Sequence, residues 1–99
     1  MPAVTVMTRY KGAIAVEQVK ENAKKALVEK HGAELFRVGR FHTGNFVGEW
    51  LVVVRYPSWA AYAKAQEGLA NDAEYQQLLV RGAAQAEVTA RNIVVGVDF

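Results

Sequence analysis

The sequence predicts an α+β chain made of two strand-helix-strand halves. Three observations carry that reading. Apolar residues alternate over four short stretches, which is the period of a strand. Between them they recur at three- and four-residue spacing, which is the period of a helix. The same dipeptide also ends the first strand of each half: Arg9-Tyr10 in "VTVMTRYKG" and Arg55-Tyr56 in "LVVVRYPSW".

The elements follow in order. Residues 4–10 alternate Val4, Val6, Thr8 and Tyr10 against Thr5, Met7 and Arg9, and Lys11-Gly12 ends the strand. Residues 13–31 form a helix whose inner stripe is Val16, Val19, Ala23, Ala26, Leu27 and Lys30. Glu21 and Lys25 supply a favourable pair one turn apart. Gly32 stops the helix, because glycine reaches the left-handed conformation cheaply. Residues 35–43 are a second strand, "GNFVG" a hairpin loop and "EWLVVVRY" a third strand. Residues 59–70 form a helix with Ser58 as N-cap and an inner stripe of Trp59, Tyr62, Ala63, Gln66, Leu69 and Ala70. Asn71 or Asp72 caps a shorter helix that ends at Gly82, and residues 85–99 close the chain as a strand.

This order, βαββαβ, is the split β-α-β or ferredoxin-like arrangement with an antiparallel sheet, and residues 1–99 read as a single domain. The first and third strands are expected as central neighbours, running parallel, so that the two Arg-Tyr pairs lie side by side at one edge. With an even-length hairpin loop, one face carries Leu35, Arg37, Gly39 and Phe41 with Trp50, Val52, Val54 and Tyr56, joined by Val4, Val6, Thr8 and Tyr10. The other carries Phe36, Val38, Arg40 and His42 with Glu49, Leu51, Val53 and Arg55, joined by Thr5, Met7 and Arg9. An odd-length loop reverses the assignment between the two strands. Helices cover one face only, and the second still holds Met7, Phe36, Val38, Leu51 and Val53. So much bare apolar surface is a liability in a monomer, and a two-fold pairing with a second copy removes it. A homodimer packed sheet to sheet is the expectation.

Composition narrows the function. The 99 residues are about half apolar and about a fifth charged, a globular balance. Lys and Arg number 12 against 10 Asp and Glu, with the signs interspersed, so no basic block points to nucleic acid. The aromatic signature of an RNA-binding sheet is also missing. No cysteine is present, which excludes disulfides, thiolate metal sites and a cysteine nucleophile. No leader pattern and no stretch long enough to span a membrane is seen, so a cytoplasmic location is expected. Two histidines at unrelated positions make no metal motif.

Two groups of residues could carry chemistry. Tyr10, Trp50, Tyr56, Trp59 and Tyr62 could line an apolar pocket with polar tips, suited to a planar ligand. They could equally fill the core. Arg9, Arg40, His42 and Arg55, with Glu49, form a polar rim on the other face. There His42 could act as a base near neutral pH and the arginines could hold a carboxylate. Otherwise the rim is a set of ion pairs, such as Arg40 with Glu49 across the hairpin. His31 is expected as a solvated residue at a helix C-terminus.

The stretch "TGNFVGEWLVVVRYPSWAAYAKAQEGLANDAEYQQLL", with the element order, resembles the dimeric α/β-barrel superfamily. Antibiotic-biosynthesis-type monooxygenases, haem-degrading monooxygenases and NIPSNAP-like proteins belong to it. The resemblance implies a small enzyme, a cofactor-independent monooxygenase or isomerase on an aromatic or polyketide-like compound. The alternatives are a non-catalytic binder of a small apolar ligand or haem, and a dimeric structural or regulatory module. The haem-degrading branch uses an Asn, a Trp and a His. This chain has Trp50 and Trp59, but no Asn in its first strand and His31 at a helix end. No cofactor is therefore expected, and haem has weak support.

Overall fold

The computed structural model describes residues 2–13 and 16–96. Strand β1 (Val4–Gly12) is followed by helix α1 (Val16–Lys24), which continues as π-helix through Lys25–Lys30. Then come β2 (Leu35–Arg40), β3 (Trp50–Tyr56), α2 (Trp59–Ala70), α3 (Ala73–Ala83) and β4 (Ala86–Val95). Ile14, Ala15 and residues 97–99, which the sequence assigns to the first helix and last strand, lie outside the described residues, as do the side chains of Val16 and Val19.

The strands form one open sheet in the order β2-β3-β1-β4, every pair antiparallel. The ferredoxin-like α+β reading holds, but the two central strands are not parallel. Val4 lies opposite Tyr56 and Tyr10 opposite Trp50. The two Arg-Tyr pairs therefore sit at opposite ends of the sheet. A split β-α-β unit makes β1 parallel to β2, and β3, which turns back from β2 through a hairpin, must then run against both.

Register also corrects one face assignment. Arg40 is opposite Trp50, so the connecting loop spans residues 41–49, an odd number. Phe36 and Val38 consequently share a face with Val54, Val52 and Tyr56, while Leu35, Arg37 and Gly39 share the other with Arg55, Val53 and Leu51. The helices cover the first face. There Val4, Val6, Thr8, Phe36, Val54 and Tyr56 are buried, packed against Leu27, Ala33, Ala65 and Leu69. The bare face keeps Met7, Leu51 and Val53 from the expected set and gains Leu35.

Local chemistry explains the element ends. Gly32 has φ +80°, the left-handed stop that the sequence suggests, and Ala33 N–H returns to the Leu27 carbonyl at 2.9 Å. Ser58 Oγ accepts from Ala61 N–H at 3.1 Å, and Asp72, rather than Asn71, caps α3 by accepting from Tyr75 N–H at 3.2 Å. In α2 the inward residues are Ala61, Tyr62, Ala65 and Leu69; Trp59, Ala63 and Ala70 are exposed. A register shift in the β1–β4 ladder places Tyr10 opposite Val88 and Arg9 opposite Ala90, leaving Thr89 as an extra residue. Such a bulge bends and twists its strand.

Candidate functional site

Four tyrosines share the helix-covered side: Tyr56 and Tyr62, from β3 and α2, at one end, Tyr10, from β1 opposite Trp50, at the other, and Tyr75, from the first turn of α3, near enough to interact electrostatically with Tyr56 and with Tyr10. Tyr56 is 1% exposed, and the other three are half-buried. Tyr62 meets the Tyr56 ring edge-on at 5.6 Å between centroids. On its outer side it meets Trp59 at 5.8 Å, and Trp59 is 50% exposed. These edge-to-face contacts are the favoured aromatic geometry.

The electrostatics tie the cluster together. Burial, with the neighbouring phenols of Tyr75 and Tyr62, pushes the Tyr56 hydroxyl up to about 12 against an opposing Arg91. Burial raises Tyr10, with Arg91 again opposing. Tyr75 is raised by burial and then by Tyr10, against the same arginine. These hydroxyls therefore stay protonated at neutral pH, available as hydrogen-bond donors, and Arg91 is the cation they share. Arg91 comes from β4, opposite the buried Thr8.

Of the five aromatic residues singled out in the sequence, Tyr56 and Tyr62 form the ring contact, and Tyr10 lies at the other end of the sheet, opposite Trp50. Trp59 forms the half-exposed margin of that contact. Trp50 stands at the far end of β3 from Tyr56, about 20 Å away at ~3.3 Å per residue. Its indole donates to the Gly12 carbonyl at 3.2 Å, and the Arg40 guanidinium lies 5.1 Å from its ring. Sequence reasoning missed Tyr75 and Arg91. Tyr75 sits three residues after a helix cap, where it turns inward. Arg91 lies in "AEVTARNIVV", whose alternation would put it on the face of Glu87 and Thr89; the extra residue at Thr89 turns it to the other face.

The expected polar rim does not assemble. Arg9 and Arg55 share the open face, but near opposite ends of the sheet, as the register places them. Arg55 pairs with Glu34 at 2.8 Å. Arg9 stacks 3.5 Å from the centroid of Phe46, with Glu49 at 3.9 Å. Glu49 accepts from the Thr89 hydroxyl at 2.6 Å, so its partners are Arg9 and Thr89 in place of the expected Arg40. Arg40 belongs to the helix-covered side with Trp50, and His42 is exposed in the loop.

His31 is not a solvated residue. It is half-buried, and its Nε2 meets Asp72 Oδ2 at 2.8 Å, where Lys30 Nζ also approaches at 3.2 Å. Asp72 is buried, and the hydrogen bond from His31, with the Tyr75 N–H and Lys30, holds its carboxyl at about 2 against the opposing effect of burial. The other edge of the imidazole rests against Gly68, where an added Cβ would lie 2.5 Å from Nδ1. This group ties the end of the first helix to the α2–α3 corner. Among the described residues no His, Cys, Asp and Glu side chains gather to hold a metal ion. No described helix is long and apolar enough to cross a membrane.

Between the π-helical turn and α3 runs a groove of about 530 Å³, with Glu29 and Lys30 on one wall and Leu78 and Arg81 on the other. Tyr75 lies in its lining as well as in the tyrosine cluster. Of the four tyrosines, Tyr75 alone lines it, beside Glu74.

An open antiparallel sheet with helices on one side has clear relatives among solved structures. A dimeric ferredoxin-like protein from an uncultured marine organism superposes with a TM-score of 0.70 at 15% identity, over 100% of this chain and 99% of its own. A NIPSNAP family protein of Agrobacterium tumefaciens gives 0.69 at 17%, over 98% and 88%. SnoaB of Streptomyces nogalater, a cofactor-independent oxygenase, gives 0.67 at 11%, over 98% and 95%. At such identities the likeness is one of fold alone, the ferredoxin-like fold that these proteins share. Residues 4–96 match the family described as "Domain of unknown function (DUF6854)", and the chain belongs to that family. No curated protein sequence matches.

Proposed function

We propose that this chain is a homodimeric, cofactor-independent monooxygenase or isomerase that binds a planar aromatic or polyketide-like molecule beneath its helices. The observation that carries the reading is the aromatic contact of Tyr56, Tyr62 and half-exposed Trp59 on the helix-covered side, with Tyr75 near Tyr56. Flat rings suit the faces and edges of tyrosines, and protonated phenols offer donors to a substrate oxygen. The fold shared with a cofactor-independent oxygenase supports the choice of reaction. In such an oxygenation the substrate is its own reductant. A ring methylene becomes a carbonyl, the second oxygen atom leaves as water, and the four electrons taken up by dioxygen all come from the substrate. The residues would bind and orient the ring, exclude water and hydrogen-bond to the oxygen that becomes negative. Bringing donors to that position is the largest single contribution in many enzymes.

The homodimer rests on the open face, where Met7, Leu51, Val53 and Leu35 stand without helices over them. The dimeric neighbour supports it. Cytoplasmic residence is part of the same proposal.

The test is a thermal-shift screen against quinols, anthrones, fatty acids, flavins and haem, followed by oxygen uptake with whatever binds. Binding to the native state raises Tm by mass action. The proposal expects a shift with quinols or anthrones, consumption of one O2 per product, and loss of both in Tyr75→Phe at unchanged stability. Binding without turnover would make the chain a carrier. No shift with any aromatic compound would leave the cluster as core filling.

A further inference from the structure

We infer that Asp72 latches a gate on the covered face: the π-helical end of the first helix unwinds away from α3 to widen the groove between them, and the ties of Asp72 to His31 and Lys30 hold it shut. This rests on the covered face being a ligand site and adds how a ligand enters it.

The first argument is access. Tyr56 is almost fully enclosed, and the groove reaches no tyrosine but Tyr75 among the described residues. Ala61, Ala65 and Leu69 of α2 pack down on the same core. A planar molecule reaches Tyr56 beneath the helices only when a wall moves aside.

The second argument is which wall. Over Val16–Lys30, Leu27 is the one buried residue among the described side chains, with Ala23, Ala26 and Val28 half-buried. By contrast α2 buries both Ala65 and Leu69 over twelve residues. Segments with few buried apolar contacts open locally at a lower cost than the whole fold. The end of the first helix, Lys25–Lys30, is π-helix, a rare winding that recurs at functional sites. Lys25, Ala26, Glu29 and Lys30, which form its side of the groove, all belong to that turn.

The third argument is the fastening. Asp72 Oδ2 accepts from His31 Nε2 at 2.8 Å and from Lys30 Nζ at 3.2 Å, while Oδ1 accepts from the Tyr75 N–H at 3.2 Å. Among the described residues no other ion pair or side-chain hydrogen bond joins residues 16–31 to residues 72–83. The side chains of His31 and Asp72 are 13% and 4% exposed, so water competes little for the bond between them. Gly68 makes room for the ring: an added Cβ would lie 2.5 Å from Nδ1 and 2.9 Å from Cε1. One carboxylate thus holds both Lys30 and the first turn of α3, where the two walls meet.

Gly68→Ala tests the latch without touching its charges. Alanine is the better helix former, so α2 itself should not weaken, but the new methyl displaces the imidazole. Native-state hydrogen exchange on the full chain should then show the amides of residues 25–33 exchanging about tenfold faster or more, the equivalent of one hydrogen bond to a charged group. The amides of Ala65, Leu69 and β1 should keep their wild-type rates. His31→Ala should act in the same way, and His31→Gln, which keeps a donor for Asp72, should restore most of the protection. Acceleration spread evenly over the chain, or none, would overturn the latch. Stopped-flow binding of 2-naphthol, followed by tryptophan fluorescence, tests the entrance: its association rate should rise in Gly68→Ala by the factor seen in exchange. Faster exchange with an unchanged association rate would overturn the gate as the way in. If 2-naphthol binds neither protein, the ligand site itself fails, and the exchange rates still decide the latch.

Discussion

The two faces of the sheet are built from the same strands and do different things. On the covered face Val4, Val6, Thr8, Val54 and Tyr56 are buried against Leu27, Ala65 and Leu69, and the phenols gather at its margin. On the open face Thr5, Met7, Leu51 and Val53 alternate with them one residue out of phase and have no helix above them. Both faces are apolar along the central strands. What separates them is the edge of each. The covered face has uncharged tyrosines with a single shared cation, whereas the open face has the ion pairs of Arg55 with Glu34 and Arg9 with Glu49. Among the described residues, Arg9 Nε on the open face is nonetheless buried without a hydrogen-bond partner, with Glu49 3.9 Å away.

Substitutions can break this contrast. The largest effect is expected from Tyr56→Ala. Removing an almost fully enclosed aromatic ring leaves a cavity and should cost about 3–5 kcal/mol in chemical denaturation, independent of protein concentration. Leu51→Glu should act differently. It leaves the covered core intact but places a charge in the apolar centre of the open face, so on the proposed pairing sedimentation should show a dimer for the wild type and a monomer for the variant. The stability loss should shrink on dilution of the wild type, since dimer stability depends on concentration.

Asp72 sharpens the account at the helix corner. Its carboxyl falls from the ordinary 3.8 to about 2 because His31, the Tyr75 N–H and Lys30 favour the charged form. A depressed carboxyl contributes stability that is fully present above the unfolded value and is lost as pH falls through the folded one. The wild type should therefore lose this contribution between about pH 4 and pH 2. Asp72→Asn should be less stable than the wild type at pH 6, and the gap should close as the pH approaches 2. A gap unchanged with pH would show that the charge of Asp72 contributes nothing. The smallest effect is expected at Ser58, where loss of the N-cap in Ser58→Ala should cost about 1 kcal/mol without altering ligand binding.

Most of the fold was legible in the sequence because its signals are local. Strand alternation, the cap at Ser58 and the glycine stop at Gly32 depend on near neighbours. The errors came from long-range geometry. The repeated Arg-Tyr suggests adjacent ends, but antiparallel pairing of β1 with β3 sends Tyr10 and Tyr56 to opposite ends. The faces of Phe36 and Leu35 hinge on whether the 41–49 loop is odd or even, which loop composition does not reveal. Within the site, Tyr10, Tyr56 and Tyr62 could be named because they end or line recognisable elements. Trp50 and Trp59 were drawn in by residue type alone. Arg91 was hidden because the bulge at Thr89 reverses the face that its strand's alternation suggests, and Tyr75 because α3 has no buried stripe to reveal its inner side.

The most direct test of the covered face as a ligand site is fluorine NMR of the chain labelled with 3-fluorotyrosine, since all four tyrosines stand on the helix-covered side. On titration with an aromatic compound that raises Tm, the resonances of Tyr56, Tyr62 and Tyr75 should move together along one binding curve. A compound that raises Tm while every tyrosine resonance stays in place would put the ligand elsewhere and contradict the account.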